Sequence, residues 1–259
     1  MKFKHIHQSG WLSEHLNKGF ANYNNCFAPS SPAVERPDLS ISEEIIKDGV
    51  FLEVGVGNII DHDFYLNSDI YKDKIWSDLP IIGSNTIELL QHGWRGYYFD
   101  PVPEFVKQAY LLAPNKDKVY TKAVGLGEKN EKKTLLKGES FIDCGLSESS
   151  PAPWGSGFGL DGVAAPWIQK EYDIQNANEA LLESGMPNVI DFFSLDVEGY
   201  EINVLKNIDF DSFKFKLIFV EVDRTQTQCV SDLLLPQGYL LIATDGGNAL
   251  YAHRKFTSS

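Results

Sequence analysis

The chain has 259 residues, 43% of them hydrophobic and 23% charged, with a formal net charge of −13. That length is enough to bury a substantial core, and the acidic balance argues against nonspecific binding to nucleic acid or anionic membrane, which needs clustered Lys and Arg. No apolar run approaches the ~18 residues that span a bilayer, the opening MKFKHIHQSGWLSEHL lacks the apolar centre of a secretory signal, and Cys26, Cys144 and Cys229 are spaced neither for zinc nor for a disulfide framework, so a reduced, cytoplasmic setting is expected.

Residues 1–48 read as an N-terminal extension. NYNNCFAPSSPAVERP within it has loop composition, and ISEEIIKDG (41–49) reads as a short helix closed by glycine. Two roles suit this extension, a cover over a site or a homodimer contact. From residue 49 onward strands and helices alternate. VFLEV (50–54) is a strand; SNTIELLQHG (84–93) a helix; GYYFD (96–100) a strand; PEFVKQAYLL (103–112) a helix with Pro in its first turn. KVYTKAVG (118–125) is a strand, ANEALLESG (177–185) a helix, DFFSLDV (191–197) a strand, EGYEINVLKN (198–207) a helix and FKLIFVEVD (215–223) a strand, with a helix after it up to residue 235. YLLIAT and NALYAHR form a final strand pair turned at Asp245-Gly246-Gly247. Such alternation predicts a mostly parallel sheet with helices on both faces. The apolar runs DFFSL and KLIFV suit strands buried on both sides.

Ligands of such sheets bind outside the carboxyl ends of the strands, where strand order reverses. The residues closing each strand therefore carry the most information. Strand one closes with Glu53, Gly55, Gly57 and Asn58, glycines that let the backbone turn tightly and approach a ligand. Strand two closes with Asp100, an acid placed as one that accepts from ribose hydroxyls, although it follows the first glycine by some 45 residues rather than the usual ~20. Asp196 and Glu198 close the next strand, and Glu221 and Asp223 the one after. Each has a plainer reading: a simple turn for the glycines, a helix cap and first-turn acid for Asp196 and Glu198, a paired buried acid for Glu221. Their convergence on one sheet edge favours a site.

These stretches resemble the FkbM-type methyltransferases, class I S-adenosylmethionine-dependent O-methyltransferases. The likeness spans residues 50–254 and is carried by FLEVGVGN, GSNTIELLQHGWRGYYFDPVPEF, KAVG, and above all IDFFSLDVEGYEINVLKNIDF with KLIFVEVD and QGY. The resemblance implies a Rossmann-like α/β fold over residues 49–259: a mostly parallel seven-stranded sheet with helices on both faces and a terminal antiparallel strand. Carried over by position, it implies that Glu53, Gly55, Gly57 and Asn58 form the first cofactor loop. Ser84 and Asn85 would lie near the methionine end, Asp100 at the ribose and Ala123 with Val124 at the adenine. Asp196, Glu198 and Glu221 would line the acceptor side, Asp196 facing the cofactor as well. The chain departs from the family in an insertion at 59–82, rich in acids and aromatics and carrying His62, and in Val56 and Asn58, which replace small residues.

Transfer of a sulfonium methyl asks the protein mainly to align a hydroxyl and to remove its proton by a base or a metal ion. Asp196 is the first candidate for base or ligand, supported by Glu198, Glu221, Asp223 and His62, while His92 reads as a residue complementing a helix C-terminus. The carboxylates suit a hard cation such as Mg²⁺, or else cap helices and bind acceptor hydroxyls directly. Residues 126–166 read as a Gly-, Ser- and Pro-rich acceptor loop in which Trp154 and Phe158 could stack on a sugar, with Cys144 a passive small residue. The expected activity is O-methylation of a sugar hydroxyl, nucleotide-linked or in a glycan, in polysaccharide (capsule) biosynthesis. The alternatives are a secondary-metabolite methyltransferase, an NAD-dependent sugar oxidoreductase or epimerase (disfavoured because Ile60 stands where the third glycine of that fingerprint belongs), and a non-catalytic binding protein.

Overall fold

The structure, a computed structural model, describes residues 49–57, 59, 84–91, 93–137, 144–146, 168–222, 227–244 and 247–256. Its main sheet contains β1 (Val50–Val54), β2 (Arg95–Phe99), β3 (Val119–Lys122), β8 (Val189–Leu195), β9 (Lys214–Glu221), β10 (Tyr239–Thr244) and β11 (Asn248–His253). The spatial order is β10-β11-β9-β8-β1-β2-β3. β1 pairs in parallel with both β2 and β8, so Leu52 lies between Tyr97 and Phe193. β11 runs antiparallel to β9 and β10. The chain leaves β1 toward β2 on one side and later returns to β8 on the other, which makes the carboxyl end of β1 the switch point.

Alternate side chains of each strand enter opposite cores, because strand side chains have a period of two. Phe51 and Tyr98 join the helices α1 (Ile87–Gln91) and α2 (Pro103–Leu112) on one face. Leu52, Val54, Phe99 and Phe193 join α3 (Ala177–Glu183), α4 (Glu201–Lys206) and α5 (Thr227–Leu234) on the other. The two-sided burial of the apolar strands is thereby met, and the α/β sheet with a terminal antiparallel strand is the architecture found.

Three expectations change. The helix expected over 84–93 is α1 and begins only at Ile87, because Ser84 takes φ of +70° and the chain wraps a buried acid first. The helix expected over 198–207 is α4 and begins at Glu201, because Glu198 and Gly199 are left-handed, with φ of +54° and +96°. The strand expected over 118–125 stops at Lys122, and Gly125 starts a second sheet. That sheet holds β4 (Gly125–Gly127), β5 (Glu131–Lys137), β6 (Cys144–Leu146) and β7 (Ile168–Asn176) in the order β4-β7-β5-β6. Much of 126–137 is thus strand rather than acceptor loop. Its sequence hides this: β5 reads EKKTLLK and β7 IQKEYDIQN, charged strands of low β-propensity. In β7 the buried Tyr172 and Ile174 alternate with exposed Glu171 and Asp173. Gly125 and Gly127 leave the space into which Ile174 packs, since a Cβ on either would lie 2.6 or 2.8 Å from its side chain. The helix at 41–49, the insertion and most of the 126–166 stretch after Leu146 lie outside the described residues, as does the turn at Asp245-Gly246.

Candidate active site

The carboxyl ends of β9, β8, β1 and β2 lie side by side, and each carries an acid: Glu221, Asp196, Glu53 and Asp100. Glu53 sits inside the protein, 1% exposed. Its carboxylate accepts hydrogen bonds from Ser84 Oγ at 2.8 Å, the Asn85 amide at 2.7 Å and Thr86 Oγ1 at 2.6 Å. Asn85 also donates its side-chain amide to Ser194 Oγ on β8 at 3.0 Å. Burial raises the Glu53 carboxyl to about 7, and the three donors oppose that rise. The Ser-Asn-Thr segment is thus wrapped around the β1 acid, which explains why the helix cannot start there.

The two glycines after β1 differ. Gly55 has φ of +81°, and a Cβ on it would lie 1.5 Å from the carbonyl oxygen of Asp196. Only glycine admits that approach of the β8 end, whose Asp196 amide donates to Val54 O at 3.0 Å. Gly57 has φ of +63°, and among the described residues nothing lies within 4 Å of a Cβ position. Asp100 holds the loop between them. Its Oδ2 accepts the amides of Val56 at 2.8 Å and Gly57 at 3.2 Å, while Oδ1 accepts that of Val102 at 2.7 Å. Three of a carboxylate's roughly four acceptor positions are therefore used by the chain itself. Burial pushes the Asp100 carboxyl up to about 6 despite these bonds. The loop ends where Ile59 donates to Gln108 Oε1 of α2 at 2.9 Å, both residues being buried. Ala123, between β3 and β4, packs against the core face that carries α1 and α2.

On the other side of the switch point, carboxylate oxygens of Asp196, Glu198 and Glu221 lie within 4.8 Å of one another, all three partly exposed. Burial first, then the charge of Asp196 and a hydrogen bond shared with it, raise the Glu221 carboxyl to about 10. One proton held between Glu221 and Asp196 at neutral pH accounts for that direction. Beneath them lies Glu201, 1% exposed, whose Oε1 accepts the amides of Val197 at 2.9 Å and Gly199 at 3.1 Å. Burial raises its carboxyl to about 7. The structure thus gathers Glu53, Ser84 and Asn85 into one net, Asp100 and Gly57 into a second, and Asp196, Glu198 and Glu221 into a third, with Gly55 pressed on the Asp196 carbonyl. Asn58, His62, His92, Trp154, Phe158 and Asp223 lie outside the described residues. Sequence reading missed Thr86, Gln108 and Glu201. The first stands in the quoted Ser-Asn-Thr run; the other two look like ordinary polar positions of a helix, and only the fold turns them on the loops.

Residues 78–241 match the methyltransferase FkbM domain model. The fold is similar to the crystal structure of methyltransferase FkbM from Methylobacillus flagellatus KT, at 11% identity and a TM-score of 0.42 over 95% of this chain and 52% of that one. The chain spans about half the length of that structure. No curated protein matches it. The matched residues take in the Ser-Asn-Thr segment, Asp100 and the whole acid turn at 196–201, more than half of the chain, and the protein belongs to the FkbM methyltransferase domain family.

Proposed function

We propose that this protein transfers a methyl group from S-adenosylmethionine to a hydroxyl of a sugar, nucleotide-linked or within a glycan, in polysaccharide biosynthesis. The single observation that carries the reading is the division of the sheet edge. A glycine loop and a buried acid stand at β1 and β2, and a cluster of three facing carboxylates stands at β8 and β9.

The residues of the first half fit the cofactor. Gly57 presents a left-handed turn, and no described residue occupies the place where its side chain would be. Asp100, next to it, keeps an acceptor position on Oδ1 for a ribose hydroxyl. Glu53 acts behind them, fixing Ser84 and Asn85 at the start of α1. When bound, S-adenosylmethionine supplies an activated methyl on a good leaving group, so the protein has to align and deprotonate the acceptor. Asp196 takes the hydroxyl proton in this scheme, the Asp196–Glu221 pair offering a carboxylate oxygen while holding one proton between them. Glu198 and Glu221 orient the acceptor by accepting from its other hydroxyls. The same three acids, all hard oxygen donors, also suit Mg²⁺, which would lower the hydroxyl pKa. Among the described residues no helix is long and apolar enough to cross a membrane. With three dispersed cysteines, this supports a cytoplasmic site of action.

The test is calorimetric titration of the protein with S-adenosylhomocysteine and, separately, with NAD⁺, with Asp100→Ala alongside. Micromolar binding of the homocysteine product alone, lost in the variant, is the expected outcome. Binding of NAD⁺ alone would replace the reading with a sugar oxidoreductase, and binding of neither with a non-catalytic protein. Sugar acceptors and secondary metabolites are then compared with and without Mg²⁺.

A further inference from the structure

The turn that carries Asp196 and Glu198 is an unfavourable piece of backbone. Glu198 at φ +54° and Gly199 at +96° are consecutive left-handed residues, a conformation that is unfavourable for a non-glycine residue. Such a turn persists only when its surroundings impose it. The acceptor of its amides is Glu201. Helix capping normally satisfies amides inside the first turn of a helix. Glu201, the first residue of α4, instead reaches back out of the helix to the amides of Val197 and Gly199. These two amides flank Glu198, so one oxygen bound to both closes the turn around it. The other end is pinned by β1, through the Asp196 amide on Val54 O and the contact of Gly55 with the Asp196 carbonyl.

We propose that Glu201 is a positioning residue. Its buried carboxylate draws the Val197 and Gly199 amides onto one oxygen and so sets Asp196 and Glu198 against Glu221, with their carboxylates turned on the place of the transferred methyl. The inference rests on the methyltransferase reading above. It names a residue that touches neither methyl donor nor acceptor yet decides where the acceptor-side acids stand.

A probe exists that needs no knowledge of the acceptor. Sinefungin is an S-adenosylmethionine analogue with a primary amine in place of the methylsulfonium. An ammonium there meets correctly placed carboxylates in charge-assisted hydrogen bonds. S-adenosylhomocysteine has nothing at that position, so the ratio of the two affinities reads the placement of the acids and not the rest of the cofactor site. The wild type is expected to bind sinefungin at least about tenfold more tightly, the scale of one charged hydrogen bond. Glu201→Ala is expected to bring the ratio close to one with the S-adenosylhomocysteine affinity unchanged. Glu201→Gln keeps an oxygen for both amides and is expected to retain the wild-type ratio.

A Glu201→Ala variant that keeps the preference for sinefungin overturns the proposal, as does a wild type that binds the two analogues equally. Where Glu201→Ala fails to fold, Glu201→Gln decides, read with hydrogen exchange at Val197 and Gly199. Protected amides with a retained ratio support the proposal; protected amides with a lost ratio overturn it. A wild type that binds neither analogue refutes the methyltransferase reading itself, and this inference with it.

Discussion

Glu53 and Asp100, at the ends of β1 and β2, each accept three hydrogen bonds from surrounding amides and hydroxyls. Asp196, Glu198 and Glu221, at the neighbouring ends of β8 and β9, crowd within 4.8 Å of one another instead. Burial raises the carboxyls of Glu53, Asp100 and Glu221; after burial, hydrogen bonds that lower the carboxyl are the largest influence at Glu53 and Asp100, whereas at Glu221 it is the charge of Asp196, which raises it further. The first half is complete in itself: its acids hold a loop and a helix start in place by bonds that are already made. The second half is relieved by whatever brings positive charge to it, whether a proton, a hydroxyl hydrogen or a cation.

Variants at four positions sharpen or break this contrast. The largest effect belongs to Gly55→Ala, where a Cβ would lie 1.5 Å from the Asp196 carbonyl oxygen at φ of +81°. Strain plus overlap predict a loss of about 4 kcal/mol in denaturant unfolding. A loss of less than about 1 kcal/mol would mean that the two halves are not wedged together at this point. Next comes Glu53→Ala, which strands the Asn85 amide and two hydroxyls in the interior and should cost about 3 kcal/mol by the same measurement. Glu53→Gln keeps an acceptor and should cost clearly less.

On the crowded side the sign reverses. The folded carboxyl of Glu221, at about 10, lies above its ordinary value of 4.5. The native state therefore binds more protons, and the stability this group contributes is full below about pH 4.5 and is lost as pH rises toward its folded value. Glu221→Gln removes the charge from this balance. It should stabilise the protein by about 2 kcal/mol at pH 8 and by nothing measurable near pH 4.5, in unfolding curves taken across that range. An unchanged pH slope would show that the three acids do not share their charge. The smallest effect on stability is that of Gly57→Ala, about 1 kcal/mol, because φ of +63° is the only obstacle among the described residues. Its larger effect should be on S-adenosylhomocysteine, with binding weakened by about tenfold or more as a methyl group enters that space. A stability loss equal to that of Gly55→Ala would mean that this space belongs to the folded chain and not to a ligand.

Alternation of apolar strands with amphipathic helices, and the acid or glycine that closes each strand, are local patterns along the chain. The sheet and its two-sided burial were legible from them, while the terminal antiparallel strand and the family followed from the resemblance that the longer motif runs carry. β5 and β7 were not, because their sequences are largely charged or polar, and the packing of Ile174 over Gly125 and Gly127 joins β7 to β4, a strand far from it in sequence. The sequence marked Gly55 and Gly57 alike. The fold separates them, one pressed on Asp196 and the other touched by none of the described residues. It likewise directs Asp100 onto amides 43 and 44 residues earlier in the chain, and Asn85 onto Ser194, 109 residues later. Glu201 reads in sequence as one more helical acid, and its task exists only because Glu198 and Gly199 turn left-handed in front of it. Periodicity reports what each segment buries. Which acids meet donors and which meet each other depends on strand order and register, and these are set by contacts between segments far apart in the chain.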